Sequence, residues 1–399
     1  MARGRKRVRE QYTTHNAVHL VRGGAHYFDT LVDIAGRARY SLHFQTYIFD
    51  ANETGFLVAD ALMAAAQRGV HVYLMLDGYA SQHLPKEFIG KLRQAGVHFR
   101  FFEPLLFTYK YYLGRRMHHK ILVADAYECL VGGLNVSDRY NDMPDAPAWL
   151  DWALHVKGEV AQDLHKICVR MWQRSVWKQK KCLPDSIPLP PMPKEECMVR
   201  MSRNDWVYRR IDISVSYRRM FTDARQYATI MTSYFWPPRR LLLRMEAAAR
   251  RGVKVRVILT GQADVPLAKY AERYLYRRLF RSNIEIYEYQ PNVLHAKVAF
   301  RDDEWATIGS YNVNNISAFA SIEMNLDVYD KDVATQLRDA VKQIVVNDCI
   351  QVRKESYEIA TNPIRMFLYY LSYRIVHLLF FLFTFYFDQV NRERRGRER

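Results

Sequence analysis

Two copies of one histidine, lysine and aspartate pattern are the residues of this sequence best suited to chemistry. Both copies have the spacing H-x-K-x-x-x-x-D. Residues two apart on a strand point to the same face, so each histidine can share a pocket with its lysine. One such pattern could be a solvated strand edge, whereas two at equivalent positions predict a functional site. The two copies are His118, Lys120 and Asp125, and His295, Lys297 and Asp302.

The aspartates of the two patterns fall at odd offsets from the histidines and lysines. On a regular strand, Asp125 and Asp302 would therefore point away from the pocket. We expect them to support the site rather than to contact a substrate.

A short segment of small residues follows each pattern and ends in an asparagine. Gly132-Gly133 precedes Asn135, and Gly309-Ser310 precedes Asn312. Small residues let a phosphate approach the backbone, and an asparagine amide can donate to its oxygens. The sequence thus predicts a phosphate subsite beside each histidine.

The elements that must position these residues also occur twice. Residues 64–76 and 247–259 each read as a helix end, a glycine and an apolar run of strand length. We predict a strand before each helix, at 46–49 and 233–236. A further strand is predicted after each unit, at Val97–Phe102 and Ile284–Tyr289.

Strands that alternate with helices indicate an α/β fold with a mixed sheet in each of two similar halves. A proline-rich stretch, LPDSIPLPPMPKEEC, fits a connector between the halves. The predicted divisions are an N-terminal half at 1–182, a linker at 183–197, a C-terminal half at 198–362 and a terminal segment at 363–399.

With its paired patterns, the chain resembles the phospholipase D superfamily. The resemblance implies two α/β halves that share one active site at their interface, and metal-free exchange of phosphodiesters through a phosphohistidine, without a cofactor. It implies that Lys120, Lys297, Asn135 and Asn312 hold phosphate oxygens. Asp151 and Glu323 match the acids that orient the histidines, although the sequence does not reveal which acid serves which histidine. Ser317 stands where the family commonly has a serine.

Between Val18 and Val328 the resemblance narrows to bacterial cardiolipin synthases. It rests on AAAQRGVHVYLMLDGYAS at 64–81, RRMHHKILVADA at 115–126 and GGLNVSD at 132–138. The implied reaction transfers a phosphatidyl group from phosphatidylglycerol to the alcohol of a second lipid. Phosphatidylethanolamine is a possible second substrate. The alternatives are a phospholipid hydrolase, a nuclease of the same superfamily, and a non-catalytic binding protein.

Composition favours a basic protein at a membrane surface. The formal net charge of +17 implies an anionic partner, either nucleic acid or anionic lipid. Residues 366–387 are almost wholly apolar and aromatic, and a basic tail follows them, which favours an anionic phospholipid membrane over nucleic acid. The mixed aromatic and basic segment 104–117 could also reach lipid headgroups.

The expected compartment follows from the N-terminus and the cysteines. Residues 1–10 are basic but lack the apolar stretch of a secretory signal. Five widely spaced cysteines indicate reduced thiols. We therefore expect the protein on the cytoplasmic face of the bacterial inner membrane.

Overall fold

Two mixed β-sheets, each covered by helices, form the body of the molecule. The computed structural model describes residues 12–103, 115–174, 187–263, 265–314 and 321–379. Parallel strands at one side of each sheet adjoin antiparallel strands at the other. The predicted α/β fold with two similar halves is confirmed.

The first sheet contains seven strands within the described residues, and β2, β3 and β4 are its parallel part. In spatial order they are β1 (Asn16–Arg22), β8 (Trp152–Gly158), β7 (Glu128–Gly132), β6 (Lys120–Ala124), β2 (Ser41–Thr46), β3 (His71–Asp77) and β4 (His98–Phe102).

The second sheet repeats this order around its own parallel strands β11, β12 and β13. In spatial order its strands are β10 (Arg210–Ile211), β9 (Met198–Asp205), β16 (Ser321–Tyr329), β15 (Trp305–Gly309), β14 (Lys297–Arg301), β11 (Tyr227–Thr232), β12 (Lys254–Thr260), β13 (Glu285–Tyr289) and β17 (Cys349–Val352). The short strand β5 (Arg116–Met117), from the first half of the chain, also pairs with β16.

Helices pack on both sheets, and a central core joins the two halves. That core contains buried residues of both sheets together with α4 and α8. Two outer cores lie under α1 to α3 and under α5 to α7. The helices are α1 (Ala25–Arg37), α2 (Glu53–Gln67), α3 (Lys86–Gln94), α4 (Glu159–Arg174), α5 (Asp212–Asp223), α6 (Arg239–Arg250), α7 (Pro266–Arg281), α8 (Lys331–Asp348), α9 (Lys354–Ala360) and α10 (residues 363–379).

The repeated helix, glycine and strand unit is confirmed. Gly69 follows α2 with φ 92°, and Gly252 follows α6 with φ 89°. A side chain is strained in this left-handed conformation, so glycine lets the chain turn directly from helix into strand. The predicted strands at 97–102 and 284–289 are confirmed as β4 and β13, each beginning one residue later.

The strands predicted at 46–49 and 233–236 are wrong in position. The strands end at Thr46 and Thr232, so most of each predicted segment lies in the loop that follows. Those loops are fixed by isolated bridges from Phe49 to Val136 and from Phe235 to Val313. Aromatic and β-branched residues favour strands, but here they fill a buried loop.

The terminal helix α10 lies against α7 by one face and is exposed on the other. Tyr369 and Val376 are buried in the outer core, whereas Ile364, Phe367 and Leu378 are 71%, 62% and 57% exposed. In the described part of the chain no helix is both long and apolar enough to cross a bilayer. Residues 380–387 of the predicted membrane segment and the basic tail lie outside the described residues, as do residues 104–114 and Ser317.

Candidate active site

His118 is held by the second half of the molecule through backbone pairing. Strand β5 adds to the start of β16, with Arg116 opposite Ser321 and Met117 opposite Ile322. The backbone N–H of His118 then donates to the carbonyl of Ile322 at 3.0 Å. The next residue along β16 is Glu323, so this pairing places His118 beside an acid of the other half.

His295 is held in the same manner by the first half. Leu294 forms a parallel bridge with Leu150, and the N–H of His295 donates to the carbonyl of Leu150 at 2.8 Å. The residue after Leu150 is Asp151. Each half thus contributes the short segment that carries its histidine to the other half, and the two arrangements are approximately symmetric.

Nδ1 of each histidine lies within hydrogen-bond distance of the acid of the opposite half. Nδ1 of His118 lies 3.0 Å from Oε2 of Glu323, and Nδ1 of His295 lies 2.6 Å from Oδ2 of Asp151. The pairing that the sequence left open is therefore crossed. A carboxylate on Nδ1 fixes the tautomer with a lone pair on Nε2, which is the form that can attack phosphorus or accept a proton.

Burial favours the neutral form of both imidazoles. It lowers the pKa of His118, against the opposing charge of Glu323. It lowers the pKa of His295 further, and the positive charges of Lys297, Lys120 and His118 add to the effect. Because the charge of His118 contributes to the lowered pKa of His295, the two rings share one electrostatic environment.

The two lysines are buried beside the histidines. Nζ of Lys120 donates to the carbonyl of His118 at 2.5 Å, and Nζ of Lys297 lies 2.8 Å from Nδ1 of His295. Burial, with repulsion from Lys297, lowers the pKa of Lys120 to about 7. Burial raises the pKa of Asp151 to about 7, although Lys297 opposes that change. An anion bound between the lysines would relieve this unbalanced positive charge.

The small residues after each motif make room for the acids. A Cβ on Gly133 would stand 2.4 Å from a carboxylate oxygen of Asp151, so only glycine fits there. Ser310 occupies the matching place in the second half, and its Oγ donates to Oε2 of Glu323 at 2.5 Å. The halves therefore differ in how each acid is supported.

The two asparagines lie at the ends of these segments in different surroundings. Asn135 accepts from the N–H of Ile48 at 3.1 Å through Oδ1 and donates to the hydroxyl of Tyr140 at 2.9 Å. Its amide is thus engaged within the protein. Oδ1 of Asn312 is buried and has no hydrogen-bond partner among the described residues. A phosphate role for either asparagine remains a prediction.

The structure does not bring the motif aspartates to the histidines but uses each of them to hold a turn. The carboxylate of Asp125 accepts three backbone N–H groups, from Arg39, Tyr40 and Ser41, each at 2.8 Å. Asp302 accepts the equivalent three from residues 225–227, at 2.8 to 3.0 Å. Both stand in turns with φ near +50°, and both tie a hairpin to the start of a central strand.

His119, which neighbours the motif histidine, faces the interior instead. It is fully buried, and its Nε2 lies 2.8 Å from Oε1 of Gln45. Two tyrosines that the sequence analysis did not select do reach the histidines. Tyr47 packs edge-on against His118 and Tyr140 against His295, each with ring centroids 4.9 Å apart. Comparing the repeats could have revealed them, because the second half has serines at both matching offsets.

The sequence matches the family model described as "Cardiolipin synthase, PLD-like domain" over residues 31–172 and 217–345. The chain belongs to this family. Cardiolipin synthase B of Salmonella typhimurium strain LT2 is 35% identical over 349 residues, which cover 84% of this chain and 82% of that protein. Cardiolipin synthase B of Escherichia coli K12 is 33% identical over the same shares.

A solved structure supports the fold at greater evolutionary distance. The phosphatidylserine synthase of Haemophilus influenzae has a TM-score of 0.71 to this chain at 13% identity, and the match covers 94% of this chain and 97% of that one. At that identity the likeness shows a shared fold. The family resemblance predicted from the paired motifs is confirmed.

Proposed function

We propose that this protein is a cardiolipin synthase-type phosphatidyltransferase in which His118 and His295 act together through a phosphohistidine. The observation that carries the proposal is the crossed pairing of each histidine with an acid of the opposite half. It gives one buried site two imidazoles, each with a lone pair on Nε2 that can attack phosphorus or accept a proton. Membership of the cardiolipin synthase family supplies the reaction type.

In the first step, Nε2 of His118 attacks the phosphorus of phosphatidylglycerol. The bond to the glycerol oxygen breaks, and His295, whose protonated form the bound phosphate anion stabilises, gives its proton to that oxygen. In the second step, a hydroxyl of the acceptor lipid loses its proton to Nε2 of His295 while its oxygen attacks phosphorus. The phosphorus–nitrogen bond breaks, and both histidines return to their starting states.

Charge develops on the non-bridging phosphate oxygens as phosphorus becomes five-coordinate. Lys120 and Lys297 supply buried positive charge on either side of the histidines, where the surroundings do not reorganise during reaction. This electrostatic role agrees with the lowered pKa of Lys120, because a bound phosphate anion would stabilise the charged form of the lysine.

Phospholipids are the substrate class that the family implies. Phosphatidylglycerol as donor, and phosphatidylglycerol or phosphatidylethanolamine as acceptor, belong to the proposal. Transfer to water would make the protein a phospholipase D hydrolase. A nuclease of the same superfamily is the other alternative, because the same histidine chemistry could act on nucleic acid.

We place the enzyme on the cytoplasmic face of the inner membrane, with α10 in contact with lipid. The exposed side chains of α10 are apolar over several turns, and the sequence that follows it is apolar and then basic. A helix with an exposed apolar face can lie in the plane of a bilayer, and the tail would add attraction to anionic lipid. Arg374 lies among these residues and donates to the hydroxyl of Tyr370 at 3.0 Å.

The direct test is product analysis with labelled phosphatidylglycerol vesicles, with and without phosphatidylethanolamine. We expect cardiolipin and free glycerol from the wild type, and neither product from His118→Ala or His295→Ala. Rapid quench with phosphorus-labelled donor should trap label on His118. Phosphatidic acid as the main product would favour the hydrolase, and cleavage of DNA with inert lipid would favour the nuclease.

A further inference from the structure

The reacting atom of His295 has a neighbour that its counterpart on His118 lacks. The hydroxyl of Tyr140 lies 3.5 Å from Nε2 of His295. Among the described residues, no hydrogen bond reaches Nε2 of His118. Catalytic hydrogen bonds often shorten when substrate binds, so the separation is compatible with a working contact.

The position of this hydroxyl is fixed by the residues around it. Because Oδ1 of Asn135 accepts from the N–H of Ile48, the amide nitrogen of Asn135 must face Tyr140, to which it donates at 2.9 Å. The phenol oxygen therefore acts as an acceptor toward Asn135. It can donate its own proton to Nε2 while His295 is neutral.

A comparison of the two halves shows that the second half has no tyrosine at the position that corresponds to Tyr140. Equivalent bridges from Phe49 to Val136 and from Phe235 to Val313 align the two halves. In that alignment Tyr47 corresponds to Ser233. Tyr140 is the fifth residue after Asn135, and Ser317 is the fifth after Asn312. Only the first half thus supplies tyrosines at these two positions.

We propose that Tyr140 is a further catalytic residue, which forms a hydrogen bond with Nε2 of His295 in both of its protonation states. The proposal rests on the proposed function. The phenol donates to the neutral ring until the attacking alcohol replaces it at Nε2. Once the ring has taken the alcohol's proton, the phenol turns its own proton away and accepts the new Nε2–H through its second lone pair. His295 thereby keeps its orientation through both steps, and it is the histidine equipped for proton transfer.

Tyr140→Phe tests this idea because it keeps the ring and removes only the hydroxyl. With phosphatidylglycerol we expect kcat to fall about tenfold, the effect of losing one hydrogen bond, while KM changes less than about twofold. Tyr329→Phe is the matched control, since its hydroxyl lies on the exposed far end of β16.

A second substrate separates chemistry from a merely structural role. A phosphatidyl ester of p-nitrophenol releases a stable anion, so its first step needs no proton from His295. The initial burst of nitrophenolate should be the same in Tyr140→Phe and wild type. Equal slowing of the burst and of glycerol release would show that Tyr140 only supports the fold, and unchanged kcat with phosphatidylglycerol would also refute the proposal.

The proposed function fails separately. If wild-type protein makes no cardiolipin, or His295→Ala retains full activity, the shared-site reaction is wrong whatever Tyr140→Phe does. If wild type is active and His295→Ala is inactive, a fully active Tyr140→Phe variant removes only the role of Tyr140.

Discussion

At the scale of single residues, the crossed acids make a direct prediction. Asp151→Asn and Glu323→Gln should each lower kcat by about 10³ to 10⁴-fold, because an amide no longer selects the tautomer with a lone pair on Nε2. Steady-state assays on vesicles measure the loss, and circular dichroism checks the fold. Asp163→Asn, on the exposed face of α4, is the control. Activity within tenfold of wild type in both acid variants would refute the orienting role.

Lys120 predicts how activity depends on pH. Burial lowers the pKa of this lysine to about 7, so the free enzyme loses the charge as pH rises above that value. Since only the charged form attracts phosphate, kcat/KM should fall about tenfold per pH unit above about pH 7. Lys120→Arg keeps its charge and should remove this limb from the profile. If kcat/KM of the arginine variant still falls in the same way above about pH 7, the fall belongs to another titrating group.

The proposed chemistry also predicts resistance to chelators. The histidines, their acids and the lysines fill every role, so treatment with EDTA should leave turnover within about twofold of its starting value. Product formation before and after dialysis against chelator measures this. Loss of turnover that one particular divalent ion restores would contradict the scheme.

The identities of most site residues could be read from the sequence, while their partners could not. Spacing alone selected His118 and His295, and family resemblance selected Asp151 and Glu323. Which acid meets which histidine depends on backbone pairing between segments 144 and 205 residues apart. Strand periodicity carries no information about such distant pairing.

At the scale of elements, the motif aspartates belong to turns that anchor the central strands. Asp125→Ala removes an acceptor of three backbone N–H groups and should lower the free energy of unfolding by about 2 to 3 kcal/mol. Asp125→Asn keeps one carbonyl acceptor and should lose less. Urea unfolding measures both. Folded Asp125→Ala protein should still form the phosphohistidine. A folded variant that forms none would indicate that Asp125 has a catalytic role.

Odd spacing within each motif correctly predicted that the aspartates point away from the histidines. The strand positions at 46–49 and 233–236 were predicted wrongly for a physical reason. Residues with high strand propensity can equally fill a buried loop when a bridge and side-chain hydrogen bonds satisfy its backbone. Strand propensity reflects how well a side chain packs against an apolar surface, and a buried loop also offers such a surface.

At the scale of the whole molecule, α10 is expected to determine membrane attachment. Replacing Phe367, Leu371 and Leu378 by serine should reduce binding to vesicles rich in phosphatidylglycerol at least tenfold, because exposed apolar area drives insertion. Sedimentation with vesicles measures binding. Serine at the exposed polar positions Glu355 and Glu358 of α9 is the control. Undiminished binding of the triple variant would place the lipid contact elsewhere.

The C-terminal segment also shows where composition stops being informative. Its apolar character indicated either membrane contact or a core helix, and the structure buries Tyr369 and Val376 in the outer core while it exposes Phe367. A single helical face could not be assigned from sequence, because apolar residues surround the whole helix.

The exchange of short segments between the halves has a consequence for the life of the chain in a cell. During synthesis, the first half emerges with His118 but without Glu323, and it holds Asp151 without His295. Each histidine and acid pair forms between the two halves, so no pair is complete until the central core has joined both sheets. Under the proposed chemistry, an unfinished or misfolded chain therefore lacks a complete site for phosphatidyl transfer, and activity arises only with the finished fold.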